Sequence, residues 1–455
     1  FDAIKSLIMN GVDAFRINMS YASLNSGEKI IDMINEINKF LNTYVAIILD
    51  IKGPTVKVGH ILNGKAIMRQ NDKIRMFIDP ILGDCTKFSV DYPDLINDVP
   101  LNSIIKIDNG NIEFKVLDKG ENYLLCQVLK EGIIEDNKIL SLPNIKLNRK
   151  FLNEQDKEII RFASRKNVGF LSLSYVSSAE DVLEVNDLLI NLGNDHLQII
   201  SKIESNYALD DIDNIVKVSD GVIIDRKDLN IEVPVEKIPS IQKKIISKCN
   251  VKGVISIVTT DLLSAIISNN YPARAEVSDI ANAVLDGVDA IMLSDETTVG
   301  DNPIETLKLL EKVIQTVEND INYEYMLEQA IKTEKRDLTG SLAYSVTGCA
   351  LRLNCKAIFT PTMSGYTAKK ISRFRPPCPI IAPSPNINTI KSLALNFGIY
   401  PILIDDLKSL DAIIEKSKKI AQDVLALKDK DSIIITGGYP FKKVKHTNFM
   451  KIEEI

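Results

Sequence analysis

Two charged side chains close one short apolar run of this chain. In IISKIES, Lys202 and Glu204 stand two apart at the end of a strand-like segment, so both project to the same side. A cation and a carboxylate aimed into one pocket suit phosphoryl transfer: the cation neutralises a moving phosphate and the carboxylate holds a divalent metal. A local ion pair at a rim explains that motif equally well. The next run ends in IIDRKDLN, where Asp225 and Asp228 stand beside Arg226 and Lys227. Asp228 could join Glu204 around an octahedral Mg²⁺ whose other positions go to water and phosphate oxygens, or it could belong to a solvated charge run. A later run ends in Thr259 and Thr260, hydroxyls able to relay a proton or bind a carboxylate. Nearer the start, Arg16 and Asn18 end one run and Asp50 ends another. Asn18, Ser20 and Asp50 are hard oxygen donors of low total charge that could house a monovalent cation, and turn and capping hydrogen bonds account for the same residues.

These residues sit at the carboxyl ends of seven runs: VDAFRIN, YVAIILD, VGFLSLS, LQIISKIE, DGVIID, GVISIVTT and VDAIMLSDE. Continuous apolar segments separated by longer amphipathic stretches are the pattern of parallel strands buried on both faces by crossover helices. Reactive side chains gathered at such strand ends point at one face of a (β/α)8 TIM barrel, the face where these barrels carry their active sites. Seven strand candidates where eight are needed, with a start in mid-helix at Phe1-Asp2-Ala3-Ile4, lead us to expect the first strand in a segment before residue 1.

After Asp50-Ile51-Lys52-Gly53-Pro54 the strand and helix alternation stops. Short alternating segments broken by Asn63-Gly64, Asp108-Asn109-Gly110 and Lys119-Gly120 predict a small all-β domain, inserted on the catalytic face where it can act as a lid. A capped helix is expected to begin at Ser178-Ala179-Glu180-Asp181, the Ser178 hydroxyl accepting from the first turn. The charged stretch EYMLEQAIKTEKRD then bridges to a carboxyl-terminal open α/β domain with a doubly wound sheet. The expected division is residues 1–57 with 146–323 for the barrel, 58–145 for the lid and 324–455 for the carboxyl-terminal domain.

Composition narrows the function. The 455 residues are 45% hydrophobic and 25% charged, enough for a large core in two or three domains. A net charge of −6 gives a nucleic-acid partner no support, and no apolar run approaches the ~20 residues that span a bilayer. The six cysteines lack any C-x-x-C pair, which fits a reducing compartment and neither a disulfide framework nor a zinc site. His60, His196 and His446 lie away from the strand ends, so the chemistry falls to Lys, carboxylates, hydroxyls and metal ions.

The succession FRINMSYA, LDIKGPTVK, IISKIES, VSDGVIIDRKDLNIEVP, ARAEVSDIANAVLDGVDAIMLSDET and TPTMSGYTAKKISRFRP resembles the pyruvate kinase family over nearly the whole chain. The resemblance implies transfer of a phosphoryl group from phosphoenolpyruvate to ADP, giving pyruvate and ATP. It implies that Lys202 stabilises the moving phosphoryl group, that Glu204 and Asp228 hold Mg²⁺ or Mn²⁺, and that Arg16 contacts the phosphates. The backbone at Lys227-Asp228 and the Thr260 hydroxyl would hold the substrate carboxylate, with Thr260 assisting protonation of the enolate. Asn18, Ser20, Asp50 and the carbonyl of Ile51 match the family's K⁺ site, and Lys138 of the lid matches a basic residue near the nucleotide. Thr362, Ser364, Gly365, Tyr366 and Thr367 match a loop that grips a sugar-phosphate effector, where an ordinary helix cap would select the same residues. A homotetramer in the cytoplasm is the further implication, or a plastid location if a transit peptide preceded residue 1.

The departures are specific. Asp225 stands where the family has Ala and Lys227 where it has Gly, so an extra carboxylate beside an anionic substrate is expected to be repulsive unless Lys227 offsets it. Tyr21 replaces a His, Ile51 a Thr, Thr55 a Glu or Lys that bears on potassium dependence, and Asp261 a Gln. Asn109 replaces a lid Asp, while Asn230 and Asp295 replace glycines. These changes crowd the pocket, which leaves a weak or inactive homologue serving as a ligand-binding or regulatory subunit as the alternative to an active kinase.

Overall fold

The computed structural model describes residues 1–166, 168–194, 196–269, 271–333, 337–406, 409–438 and 447–455. His446 and residues 334–336 of the bridging stretch lie outside them.

All seven apolar runs are strands, and they pair in chain order as one parallel sheet: β1 (Ala14–Asn18), β2 (Ala46–Ile51), β3 (Phe170–Leu173), β4 (Gln198–Ile203), β5 (Gly221–Asp225), β6 (Ile255–Thr259) and β7 (Ala290–Met292). The sheet curls into a parallel half-barrel. Strand alternation sorts its side chains into two cores. Ile47, Leu49, Leu171, Ile199, Val222, Ile224 and Val258 pack outward with the crossover helices. Ala46, Ile48, Phe170, Ile200, Ile223, Ile255 and Ile257 pack inward around Leu395. Each fully buried aliphatic side chain contributes about 1.5–3 kcal/mol, so two buried faces fix the register of every strand.

The helix expected at Ser178 forms over Ala179–Asn191, and Asp181 closes it by accepting from the Ser177 and Ser178 N–H groups at 2.8 and 3.1 Å.

The inserted segment forms a separate seven-stranded sheet, in the order Val56–Lys57, Ile139–Ser141, Ile104–Ile107, Ile112–Lys119, Tyr123–Lys130, Lys73–Phe77 and Lys87–Ser89, with its own core around Met68, Phe88, Tyr92 and Phe114. Hydrogen bonds tie it to the barrel: Lys106 Nζ donates to the Ile231 carbonyl at 2.8 Å, and Tyr207 Oη to that of Asn144 at 3.1 Å.

The carboxyl-terminal sheet has the order Ile399–Leu403, Ile380–Ser384, Ala357–Phe359, Ser432–Gly437 and Phe449–Glu454. Its last strand is antiparallel and was not expected from the sequence, because FMKIEE has too few apolar residues to read as a buried strand. Arg375 fastens this part to the amino-terminal end of the barrel. Its guanidinium donates to the Gly287 carbonyl at 2.5 Å and Asn250 Oδ1 at 2.7 Å, and lies 3.1 Å from Asp289 Oδ1.

Candidate active site

Alternation decides which polar residues enter the barrel. In β4 the inward residue is Ile200, so Lys202 and Glu204 continue inward; in β5 it is Ile223, so Asp225 follows; in β2 it is Ile48, so Asp50 follows. Parallel registry sets the strand ends level, with Asn18 opposite Asp50, Asp50 opposite Ser172 and Asp225 opposite Thr259.

Lys202 is 5% and Glu204 2% exposed, so this pair is interior and not a surface ion pair. Lys202 Nζ lies 2.7 Å from Glu204 Oε1, 3.4 Å from Asp225 Oδ2 and 3.4 Å from Ser174 Oγ. Burial opposes its charge, but Glu204, Asp50 and Asp225 outweigh it and raise the ammonium well above its usual range. Glu204 Oε2 accepts from the Tyr175 N–H at 2.5 Å. Glu204 Oε1 takes the Lys202 ammonium at 2.7 Å, so both oxygens of this buried carboxylate are held in place.

Asp228 sits in the helix Arg226–Glu232 that follows β5, with Asp225 as its N-cap. Burial, then Asp225 and Glu204, push the Asp228 carboxyl up to about 8. Ligand oxygens of Glu204, Asp225 and Asp228 all lie within 4.8 Å of one another. A carboxylate set of this kind fits a hard divalent cation.

Thr260 and Asp261 follow β6 with left-handed φ angles of 69° and 52°. Thr260 Oγ1 donates to the Thr259 carbonyl at 2.6 Å, accepts from the Lys227 N–H at 3.0 Å and lies 3.4 Å from Asp225 Oδ1. Arg226 holds this corner, its guanidinium donating to the Thr260 carbonyl at 3.2 Å and that of Asp261 at 2.8 Å.

Asp225 is expected to repel an anionic substrate unless Lys227 offsets it; the Lys227 side chain is exposed, and its charge helps to hold down the Asp108 carboxyl of the inserted sheet. The ion-pair partner of Asp225 is Lys202.

Arg16 Nε donates to Asp50 Oδ2 at 3.0 Å, and the surrounding carboxylates hold its charge up against burial. Asn18 Oδ1 accepts from the Ser20 N–H at 3.0 Å, an Asx turn, while Ile51 is buried within β2. Lys138 pairs with Asp108 at 2.8 Å and Glu135 at 3.3 Å within the lid. In the carboxyl-terminal loop Thr362 Oγ1 accepts from the Gly365 N–H at 2.9 Å, and Thr367 Oγ1 lies 2.8 Å from Thr447 Oγ1. Ser364 is exposed, and Lys370 Nζ lies 5.7 Å from the Tyr366 ring centre. The helix Tyr366–Ser372 that follows has Gly365 as its N-cap and no side-chain cap bond.

Ser174, Tyr175 and Arg226 are neighbours of the charged cluster that sequence reasoning did not select. Ser172 and Ser174 share the inward parity of β3, which was the available signal for Ser174. Tyr175 acts through a backbone N–H at φ 57°, and a contact of that kind leaves no mark in side-chain spacing.

A parallel barrel sheet with an ammonium and three carboxylates at its carboxyl end suits metal-assisted group transfer. The sequence profile of the pyruvate kinase barrel domain matches residues 1–307, and that of the pyruvate kinase alpha/beta domain matches 340–453. The chain is 36% identical to a pyruvate kinase of Clostridium perfringens, over 100% of this chain and 96% of that protein. It is 34% identical to the pyruvate kinase of Geobacillus stearothermophilus, over 100% of this chain and 78% of the relative. A crystal structure of a pyruvate kinase from Cryptosporidium parvum superposes with a TM-score of 0.93 at 29% identity, covering 100% and 93% of the two chains. The chain belongs to the pyruvate kinase family, phosphotransferases that generally depend on metals. Its reaction carries the phosphoryl group of phosphoenolpyruvate to ADP, giving pyruvate and ATP, and nothing favours the inactive alternative.

Proposed function

We propose that the reaction is carried by Lys202, Glu204, Asp228, Thr260 and Arg16. The supporting observation is the convergence of one buried ammonium and a set of inward carboxylates at level strand ends. Lys202, fixed by Glu204 and Ser174, offers positive charge where a phosphoryl group passes between oxygens, and in a buried site that charge costs no reorganisation. Glu204 and Asp228 would hold Mg²⁺ or Mn²⁺, which when bound supplies Lewis-acid charge to the phosphate oxygens. Arg16 orients the phosphates from the neighbouring strand. Loss of the phosphoryl group leaves an enolate, and Thr260 Oγ1, turned from its bond to the Thr259 carbonyl, is positioned to deliver a proton to its carbon. The N–H groups at Lys227 and Asp228, which donate to Thr260 Oγ1 and Asp225 Oδ1 without substrate, would turn to the substrate carboxylate. Lid closure, with Lys138 on the nucleotide, excludes water from a phosphate that would otherwise hydrolyse.

Asn18, Ser20, Asp50 and the Ile51 carbonyl are the proposed K⁺ ligands. The loop Thr362, Ser364, Gly365, Tyr366 and Thr367 follows the strand Ala357–Phe359 at the point where strand order reverses, the usual ligand crevice of an open α/β sheet, and this supports a sugar-phosphate effector there. The proposed working form is a homotetramer in the cytoplasm, divided into domains 1–57 with 146–323, 58–145 and 324–455. Among the described residues no helix is long and apolar enough to cross a membrane.

The test is Lys202→Met. We expect turnover of phosphoenolpyruvate and ADP to be lost with the circular dichroism spectrum unchanged. ATP formation at the parent rate would remove Lys202 from the phosphoryl path.

A further inference from the structure

We infer that Asp225 is a third carboxylate ligand of the divalent cation, beside Glu204 and Asp228. The inference rests on the metal reading of Glu204 and Asp228 and extends it to a residue that reads in the sequence as an intrusion.

Asp225 is 6% exposed and is the last residue of β5, with inward parity. Taking an ionised carboxylate out of water costs several kcal/mol unless a cation matches it. The nearest cation is Lys202 at 3.4 Å, but Lys202 lies closer to Glu204, at 2.7 Å, and cannot serve both fully. The four carboxylates Asp50, Glu204, Asp225 and Asp228 outnumber the two cations that pair among them, Arg16 and Lys202, so the cluster favours a further cation.

Geometry agrees with the charge count. Oxygens of Asp225, Glu204 and Asp228 lie within 4.8 Å of one another, close enough to share one ion. Asp225 is held for this role by its own helix cap: Oδ1 lies 3.5 Å from the Asp228 N–H and 3.4 Å from Thr260 Oγ1. A third carboxylate adds ligand charge and so tightens the hold on a divalent ion. The carboxylate that should repel the anionic substrate is then neutralised by the ion that binds it.

The experiment titrates Mn²⁺ alone into the full chain, without substrate, following free Mn²⁺ by electron paramagnetic resonance and bound water by proton relaxation. The variants are Asp225→Ala, Asp225→Asn and, as a control on the site, Glu204→Gln, each checked for folding by thermal unfolding. We expect Asp225→Ala to weaken Mn²⁺ at least about tenfold and to admit one more metal-bound water, with Asp225→Asn weakened less because its oxygen can still ligate. Parent-like affinity in Asp225→Ala with Glu204→Gln weakened overturns the assignment of Asp225 alone. Weaker binding with an unchanged water count also overturns it, since Asp225 would then act only through its field. Parent-like affinity in Glu204→Gln removes the carboxylate metal site itself.

Discussion

Lys202 and Glu204 were legible because a strand has a period of two, so residues two apart at its end must share a side. Asp225 carries the same parity relative to Ile223, yet in the sequence it reads as a repulsive substitution, since its compensation by Lys202 comes from a neighbouring strand. Gly53 makes a comparable point about backbone. Its φ is +67° and a Cβ there would stand 2.3 Å from the Ser174 carbonyl oxygen. Ser174 touches Lys202, and the next N–H, that of Tyr175, holds Glu204. Gly53→Ala should therefore cost about 1–3 kcal/mol of stability and lower kcat with it, measured by urea unfolding and steady-state assay. Unchanged kcat would separate Gly53 from the positioning of Glu204.

At the scale of elements, the corner after β6 is set by one side chain from the helix after β5. Thr260 and Asp261 both hold left-handed backbone, a conformation that costs of order 1–3 kcal/mol for each non-glycine residue. Arg226 sustains it through the two carbonyls and is itself steadied by Asp279 at 3.1 Å. Replacing it by Met should relax the corner and move Thr260 Oγ1, lowering kcat by roughly a hundredfold while the chain stays folded. Steady-state kinetics beside a thermal unfolding curve test this; an unaltered kcat would show that the corner holds without Arg226. The strands themselves were read correctly from their continuous apolar runs. The terminal strand Phe449–Glu454 escaped because an edge strand needs few buried side chains.

The whole molecule is joined by a buried charge pair. Arg375 and Asp289 are 5% and 7% exposed at 3.1 Å, and Asp289 also accepts from the Ser256 and Phe397 N–H groups at 2.9 and 3.2 Å. Arg375→Met leaves Asp289 buried without its counter-charge and should destabilise the protein by about 3–5 kcal/mol, read in urea unfolding. A loss below about 1 kcal/mol would mean the contact between barrel and carboxyl-terminal sheet does not depend on it. Thiol chemistry reports on the same packing. Cys85 is exposed, whereas burial pushes the Cys126 thiol up to about 12 and that of Cys249 well above its usual range, so both stay protonated at pH 8. A thiol reagent at pH 8 should modify Cys85 first, with Cys126 and Cys249 reacting only on unfolding; early modification of Cys126 would mean that the lid core opens.

Sequence alone determined what depends on neighbours along the chain: which runs are strands, that Lys202 and Glu204 share one side, and that a β-rich insertion interrupts the barrel. Only tertiary structure decided which charges compensate one another. Lys202 could have answered Glu204, Asp225 or neither, and the spacing between adjacent parallel strands, set by packing on both faces of the sheet, brought it within reach of both.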